Sequence, residues 1–149
     1  MSEKQAKKYM VDFVLRHLWH KISRLYNQKA VEQELTGSIG YILLNIEKDG
    51  TPSTQLGPKM GMEPTSLSRT IKTMEQKGLI RRVSDKLDKR KVLVFLTEDG
   101  LEKRRMARDV VMGFHESIMN TIPKGKLTAF FEVAERLDTL LDEELNNLN

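Results

Sequence analysis

No cysteine occurs in the 149 residues of this chain. That absence excludes disulfides, thiolate nucleophiles, zinc centres built on sulfur and thiol-based redox sensing, each of which needs the missing sulfur. There is also no Gly-rich phosphate loop and no recognisable nucleophile–base pair, so no enzymatic activity and no cofactor are expected. Trp19 is the single tryptophan. It is expected, with Tyr26 and the eight methionines, in core and interface packing and not in a cofactor box. The three histidines, His17, His20 and His115, find no companion carboxylates at ligand spacing beyond Asp12 or Glu116, and no metal site is expected. No apolar run approaches the roughly 18 to 20 residues that cross a bilayer, and the segment Met1 to Lys8 lacks the apolar stretch of a signal peptide, which predicts a cytoplasmic protein without membrane contact. Internal repeats and low-complexity segments are missing as well.

What is present is positive charge, and it is concentrated. The chain carries a net +4 with a pI near 9.3. Between Lys59 and Lys91 there are ten Lys or Arg (59, 69, 72, 77, 81, 82, 86, 89, 90, 91) against four acids (63, 75, 85, 88), a local net of +6. From Lys124 to Asn149 three bases (124, 126, 136) meet six acids (132, 135, 138, 142, 143, 144), a net of −3. A polyanion would therefore be drawn to the middle of the chain and repelled by its end. The length fits one domain, or two lobes sharing long helices.

Apolar periodicity gives the elements. Residues 5 to 34 contain no Pro or Gly, and Val11, Leu15, Leu18, Ile22 and Leu25 recur at helical spacing, with Met10, Phe13 and Val14 widening the apolar face. So wide a face on a helix about 30 residues long needs more packing partners than a small chain supplies, which predicts oligomerisation. Thr36 is placed to cap a second helix with Ile39, Ile42, Leu43 and Ile46 buried, stopped at Asp49-Gly50. A third helix starts at Ser53 and contains Pro58, where a kink or a 3₁₀ turn is expected. The fourth carries Pro64 in its first turn, buries Leu67, Ile71 and Met74, and ends at Gly78. Ile80 to Val83 and Val92 to Leu96 read as two strands around a charged loop. Thr97 then caps a fifth helix running to Ile122, and a last helix follows Pro123 with Leu127, Phe130, Phe131, Ala134, Leu137, Leu141 and Leu145 on one face. The fold class is mainly α with a small β-hairpin wing.

The order helix, helix-turn-helix, hairpin, long helices resembles the MarR family of bacterial winged helix-turn-helix regulators. The resemblance is carried by Leu35-Thr36, Gln55-Leu56, the run Ser66 to Arg69, the run Lys77 to Arg82, the wing signature Asp88-Lys89-Arg90, and the run Leu96 to Gly100. It implies a homodimer that binds pseudo-palindromic double-stranded DNA, often as a repressor released by a small-molecule effector. Residues 1–35 and 98–149 would form the dimerisation helices and 36–97 the DNA-binding lobe. Met10, Phe13, Val14, Phe114, Ile118, Leu127, Phe131 and Leu141 are expected at the dimer interface. An effector is expected in the crevice of the first, second and fifth helices, near Arg16, His17, His20, Tyr41 and Asn45. Ile39-Gly40 stands where the family often has Gln followed by an aromatic, a departure at that pocket.

The residue chemistry places the DNA contacts. Arg69 is the candidate for reading guanine, while Thr65, Ser66, Ser68 and Lys72 share its helix face and reach base edges or phosphates. Arg90 is expected in the minor groove with Asp88 holding its guanidinium, and Lys86, Lys89 and Lys91 add affinity by counterion release. Ser53, Thr54 and Arg82 complete the expected contact surface. The alternative reading is a winged helix that docks an acidic protein through the same basic wing.

Overall fold

The computed structural model describes residues 9–148. The order is α1 (Val11–Val31), α2 (Gly37–Asn45), β1 (Thr51–Pro52), α3 (Ser53–Leu56), a 3₁₀ turn (Pro58–Met60), α4 (Pro64–Gln76), β2 (Ile80–Ser84), β3 (Val92–Leu96), α5 (Glu98–Thr121) and α6 (Lys124–Asn146). Helix α1 is shorter than the expected span of 5 to 34. Residues 5–8 lie outside the described residues, and at the other end Glu34 adopts φ 59°, a left-handed turn in which the Leu35 amide donates to Ala30 O at 2.9 Å. Pro58 does interrupt the third helix, and the chain continues as a 3₁₀ turn closed by Gly61 at φ 61°.

The sheet has three strands, not two. Its order is β1-β3-β2, all antiparallel, with Thr51 opposite Val94, Pro52 opposite Leu93, and Ile80 to Ser84 paired with Leu96 to Val92. β1 escaped the sequence because two residues carry no alternation, and because Pro52 is acceptable in a strand only at an edge, where its missing N–H leaves no ladder bond unmade.

Two compact units divide the chain, one running to Val111 and one from Met112. The first holds the core. Ile39, Ile42, Leu43 and Ile46 of α2 pack with Leu67, Ile71 and Met74 of α4, with Leu56 of α3, and with Leu79, Ile80 and Val94 of the wing. Thr36 caps α2 as expected, accepting from the Ile39 amide at 3.2 Å. Two side chains of α5 tie it to the lobe: Lys103 Nζ donates to Gln33 O at 2.8 Å and Arg104 Nη1 donates to Ile46 O at 2.9 Å, satisfying a carbonyl at the end of α2. Helix α1 buries none of its residues, and Phe13 and Leu18 are nearly half exposed. Its apolar face lacks the cover that the spacing demands. In the second unit Pro123 starts α6, the Phe130 and Phe131 rings meet edge to face at 5.6 Å, and Leu141 and Leu145 stay open.

One junction organises the first unit. The Thr97 hydroxyl donates to Gly78 O at 2.6 Å and accepts from the Gly100 amide at 3.0 Å, and the Thr97 amide donates to Leu79 O at 3.1 Å. A Cβ at Gly100 would collide with the Leu79 carbonyl oxygen. Gly100→Ala is therefore expected to destabilise the fold by roughly 1 to 3 kcal/mol, the usual cost of overpacking, read as a lower denaturant midpoint with an unchanged slope.

Candidate nucleic-acid interface

Helix α4 divides cleanly into two faces. Leu67, Ile71 and Met74 are buried, while Thr65, Ser66, Ser68, Arg69 and Lys72 are exposed. Pro64 sits at the first helical position, where its missing N–H costs nothing. At the other end Gly78 takes φ 69°, its amide donates to Glu75 O at 2.9 Å, and the Leu79 amide reaches Met74 O at 3.0 Å. That closure buries Leu79 beside Met74 and turns the chain into β2. The hydroxyls of Thr70 and Thr73 are spent on the carbonyls of Ser66 and Arg69 one turn back. Ser53, half-buried, and Thr54, exposed, stand at the start of α3.

The wing loop is built by two aspartates. Asp85 Oδ1 accepts from the amides of Leu87 at 2.7 Å and Asp88 at 3.1 Å, and the Asp85 amide donates to Lys91 O at 2.9 Å. Those amide donors, with Lys91 nearby, hold the Asp85 carboxyl below its ordinary value of 3.8. Asp88 Oδ1 accepts from the Arg90 amide at 3.1 Å and from Arg90 Nε at 3.3 Å. The Arg90 side chain is 93% exposed, so the aspartate aims the guanidinium without covering it. Lys86, Lys89 and Lys91 are exposed around it, and Leu87 at the tip is completely open. Across the ladder Arg81 lies over the Phe95 ring at 4.7 Å.

Arg82 behaves differently from the other bases expected at the surface. Its Nη2 and Nε donate to Glu75 Oε2 at 2.6 and 3.0 Å, joining the end of α4 to β2. The guanidinium hydrogen bond holds the Glu75 carboxyl below its usual range, and the carboxylate in turn raises Arg82. Arg82 is thus a strut between α4 and the wing, with much of its charge compensated. Glu75 and Asp85 were missed in the sequence because one acts across seven residues and two elements, and the other resembles any polar residue entering a loop.

The residues expected around the effector crevice do not gather. Tyr41 lines two adjoining cavities of the first unit, of about 210 and 410 Å³, whereas Arg16, His17 and Asn45 line neither. His20 lines a third, more open hollow with Arg24 and Gln28, which meets the larger cavity at Ser23 and Asn27. The cavity walls come instead from Tyr26, Gly40, Leu44, Ala107 and Val110 among others, residues whose helical spacing alone reads as core. Among the residues expected to meet a second subunit, Met10, Phe13, Val14, Phe131 and Leu141 are exposed and Phe114 and Ile118 half-buried. Leu127 is only 8% exposed in the single chain, so it has little surface left to give to a partner. Among the described residues no three His, Asp or Glu side chains form a group able to hold a metal ion.

Comparison with known proteins agrees with this architecture. Residues 42–92 match the MarR family. The HTH-type transcriptional regulator TtmR of Methylorubrum extorquens (strain PA1) is 30% identical over 82 residues, which are 54% of this chain and 42% of that protein. The uncharacterized HTH-type transcriptional regulator YwoH of Bacillus subtilis (strain 168) is 31% identical over 118 residues, 73% of this chain and 85% of YwoH. The chain thus spans less than half the length of TtmR but most of YwoH. Among solved structures, that of the S. aureus MepR–DNA complex superposes with a TM-score of 0.76 at 17% identity, covering 91% of this chain and 98% of the other. At that identity the likeness establishes a shared fold. From the sequence match over the lobe and the length shared with YwoH, the chain belongs to the MarR family.

Proposed function

We propose that this protein is a ligand-responsive, DNA-binding transcription regulator that acts as a homodimer on a pseudo-palindromic operator. The observation that carries the reading is the division of α4: every expected contact residue on it is exposed, every apolar one is buried, and the exposed face adjoins a wing with four open cations. A helix of this width enters the major groove, where Arg69 donates to a guanine edge and Thr65, Ser66 and Ser68 reach phosphates or bases. Arg90, aimed by Asp88, enters the minor groove, where a narrow groove concentrates negative potential. Lys72, Lys86, Lys89 and Lys91 neutralise phosphates and make affinity steeply dependent on salt. Arg82 serves as a strut, held by Glu75, and Ser53 and Thr54 border the duplex.

The homodimer follows from the open apolar faces of α1 and α6. Met10, Phe13 and Val14 on one helix and Phe131 and Leu141 on the other are too large and too exposed for a solitary chain. Two-fold symmetry then sets the half-sites about 10 to 10.5 bp apart, one helical turn. The effector belongs in the cavities beside α2, because that helix presents Gly40, Tyr41 and Leu44 to the cavities and Ile42, Leu43 and Ile46 to the core under α4. A ligand that displaces α2 would move the reading helix. Docking of an acidic protein on the wing is separated from this reading by salt: binding through phosphates falls log-linearly with salt, and duplex DNA competes.

Arg69→Ala should cost ~1 to 3 kcal/mol at one base position and relax preference there, whereas Arg90→Ala should weaken all operators alike; unchanged mobility shifts for both would remove the surface. Glu75→Gln, which breaks the strut without touching an outward-facing cation, should lower operator affinity while leaving salt dependence nearly intact, measured by fluorescence anisotropy across a salt series. For Asp85 the sign is set by a depressed carboxyl: its hold on the wing is complete above its ordinary value of 3.8 and fades as pH drops through the lower folded value. The amide resonances of Leu87 and Asp88 should therefore titrate together with a midpoint below 3.8, and Asp85→Asn should abolish that titration.

A further inference from the structure

The two cavities beside α2 share a wall. The inner one, about 210 Å³, lies between α1, α2 and α5 and is apolar, formed by Ala30, Leu35, Leu44, Ala107 and Val110 with Gln33 at its edge. The outer one, about 410 Å³, adds Ser23, Asn27, Ser38 and Trp19. Tyr26, Gly37 and Tyr41 line both, so the chambers form one site with an apolar and a polar half. Among the described residues no Lys, Arg, His, Asp or Glu lines either chamber, in a chain that is 31% charged; His20 and Arg24 line only the neighbouring hollow.

We infer that the effector is an uncharged molecule with an apolar body of one or two rings and a neutral hydrogen-bonding end. The inference rests on the ligand-responsive reading above and names the chemistry of its site. An inner chamber of this size accommodates a small ring system, since a cavity of about 150 Å³ already takes up benzene. The neutral end belongs in the outer chamber. There Asn27 Oδ1 already accepts from the Gly37 amide at 2.9 Å, which leaves Nδ2 as the side chain's donor, and Ser23 and Ser38 add hydroxyls. Burial pushes the Tyr26 phenol up, so it remains an uncharged group on the shared wall. A carboxylate in the apolar inner chamber would lose its water without a partner, which is strongly disfavoured, and one in the outer chamber would meet hydroxyls and an amide but no cation in the lining. A cationic ligand would find aromatic faces on Trp19, Tyr26 and Tyr41 but no carboxylate.

The test uses three probes with one body: 4-tert-butylbenzyl alcohol, 4-tert-butylbenzoate and (4-tert-butylbenzyl)trimethylammonium. Each is titrated into the DNA-free protein, followed by emission of Trp19, the sole tryptophan, and by calorimetry. The alcohol should bind, with the carboxylate about tenfold or more weaker because its charge is left unpaired, and the cation weaker than the alcohol. Ala107→Phe, which puts a ring into the inner chamber, should abolish the alcohol signal. Val110→Lys, which places a cation on the same wall and keeps the question open if the first variant unfolds, should turn the preference toward the carboxylate. A native protein that binds the carboxylate or the cation as tightly as the alcohol, or binds none of the three, overturns the assignment. A mobility shift run alongside keeps the two readings apart. Binding of the alcohol with no change in duplex retention defeats ligand response and spares the ligand class, and failure to bind any duplex defeats the regulator alone.

Discussion

The hydroxyl of Thr97 joins three parts of the molecule at one point. It donates to the carbonyl of Gly78, where α4 ends, and accepts from the amide of Gly100, where the long fifth helix begins. The Thr97 amide meets Leu79 O at the entry to β2. Gly100 must lack a side chain because the Leu79 carbonyl occupies the space that a Cβ would take. Helix α4, the wing and α5 therefore share a joint of one hydroxyl and four backbone groups, which cannot separate without losing hydrogen bonds that are costly to leave unmade.

Around it the lobe is rigid where contact is to be made and open where charge is to be offered. The core under α4 fixes which face of the helix looks outward, and the Arg82–Glu75 strut fixes the distance from helix to wing. As an exposed ion pair it adds little stability. Its contribution is positional, because one carboxylate oxygen receives two guanidinium donors. In the wing loop Asp85 Oδ1 accepts from the amides of Leu87 and Asp88, and Asp88 Oδ1 from the amide and Nε of Arg90, which gives a short loop of like charges a defined shape. Four cations repel one another there, and the two aspartates offset that repulsion while leaving the cations open.

Helix α2 is the part that faces two ways. Ile42, Leu43 and Ile46 are fully buried against α4 and the wing, while Gly40, Tyr41 and Leu44 form the wall of the double chamber. Arg104 and Lys103 of α5 grip carbonyls at the far end of α2 and in the turn before it, so the chamber is bounded on both sides by hydrogen-bonded anchors. The chamber wall and the core under α4 are thus two faces of one helix.

The elements themselves were legible in the sequence, because helical periodicity of Ile39, Ile42, Leu43 and Ile46, and of Leu67, Ile71 and Met74, is a local property that burial merely completes. Caps at Thr36 and Thr97, the break at Pro58 and the closure at Gly78 were legible for the same reason. The cluster of positive charge was legible too, since counting needs no coordinates. Strand β1 was not, being too short to show a pattern, and neither was the Glu75–Arg82 strut. The cavities lie between the first, second and fifth helices, where a crevice was expected, and Tyr41 lines them; Arg16, His17 and Asn45 do not, and the walls come from Gly40, Leu44, Ala107 and Val110. Sequence alone determined which segments become helices and where charge accumulates, because both depend on neighbours along the chain. Only the tertiary structure decided which apolar residues leave space between them and which charges find a partner, because cavities and ion pairs are made by atoms that packing alone brings together.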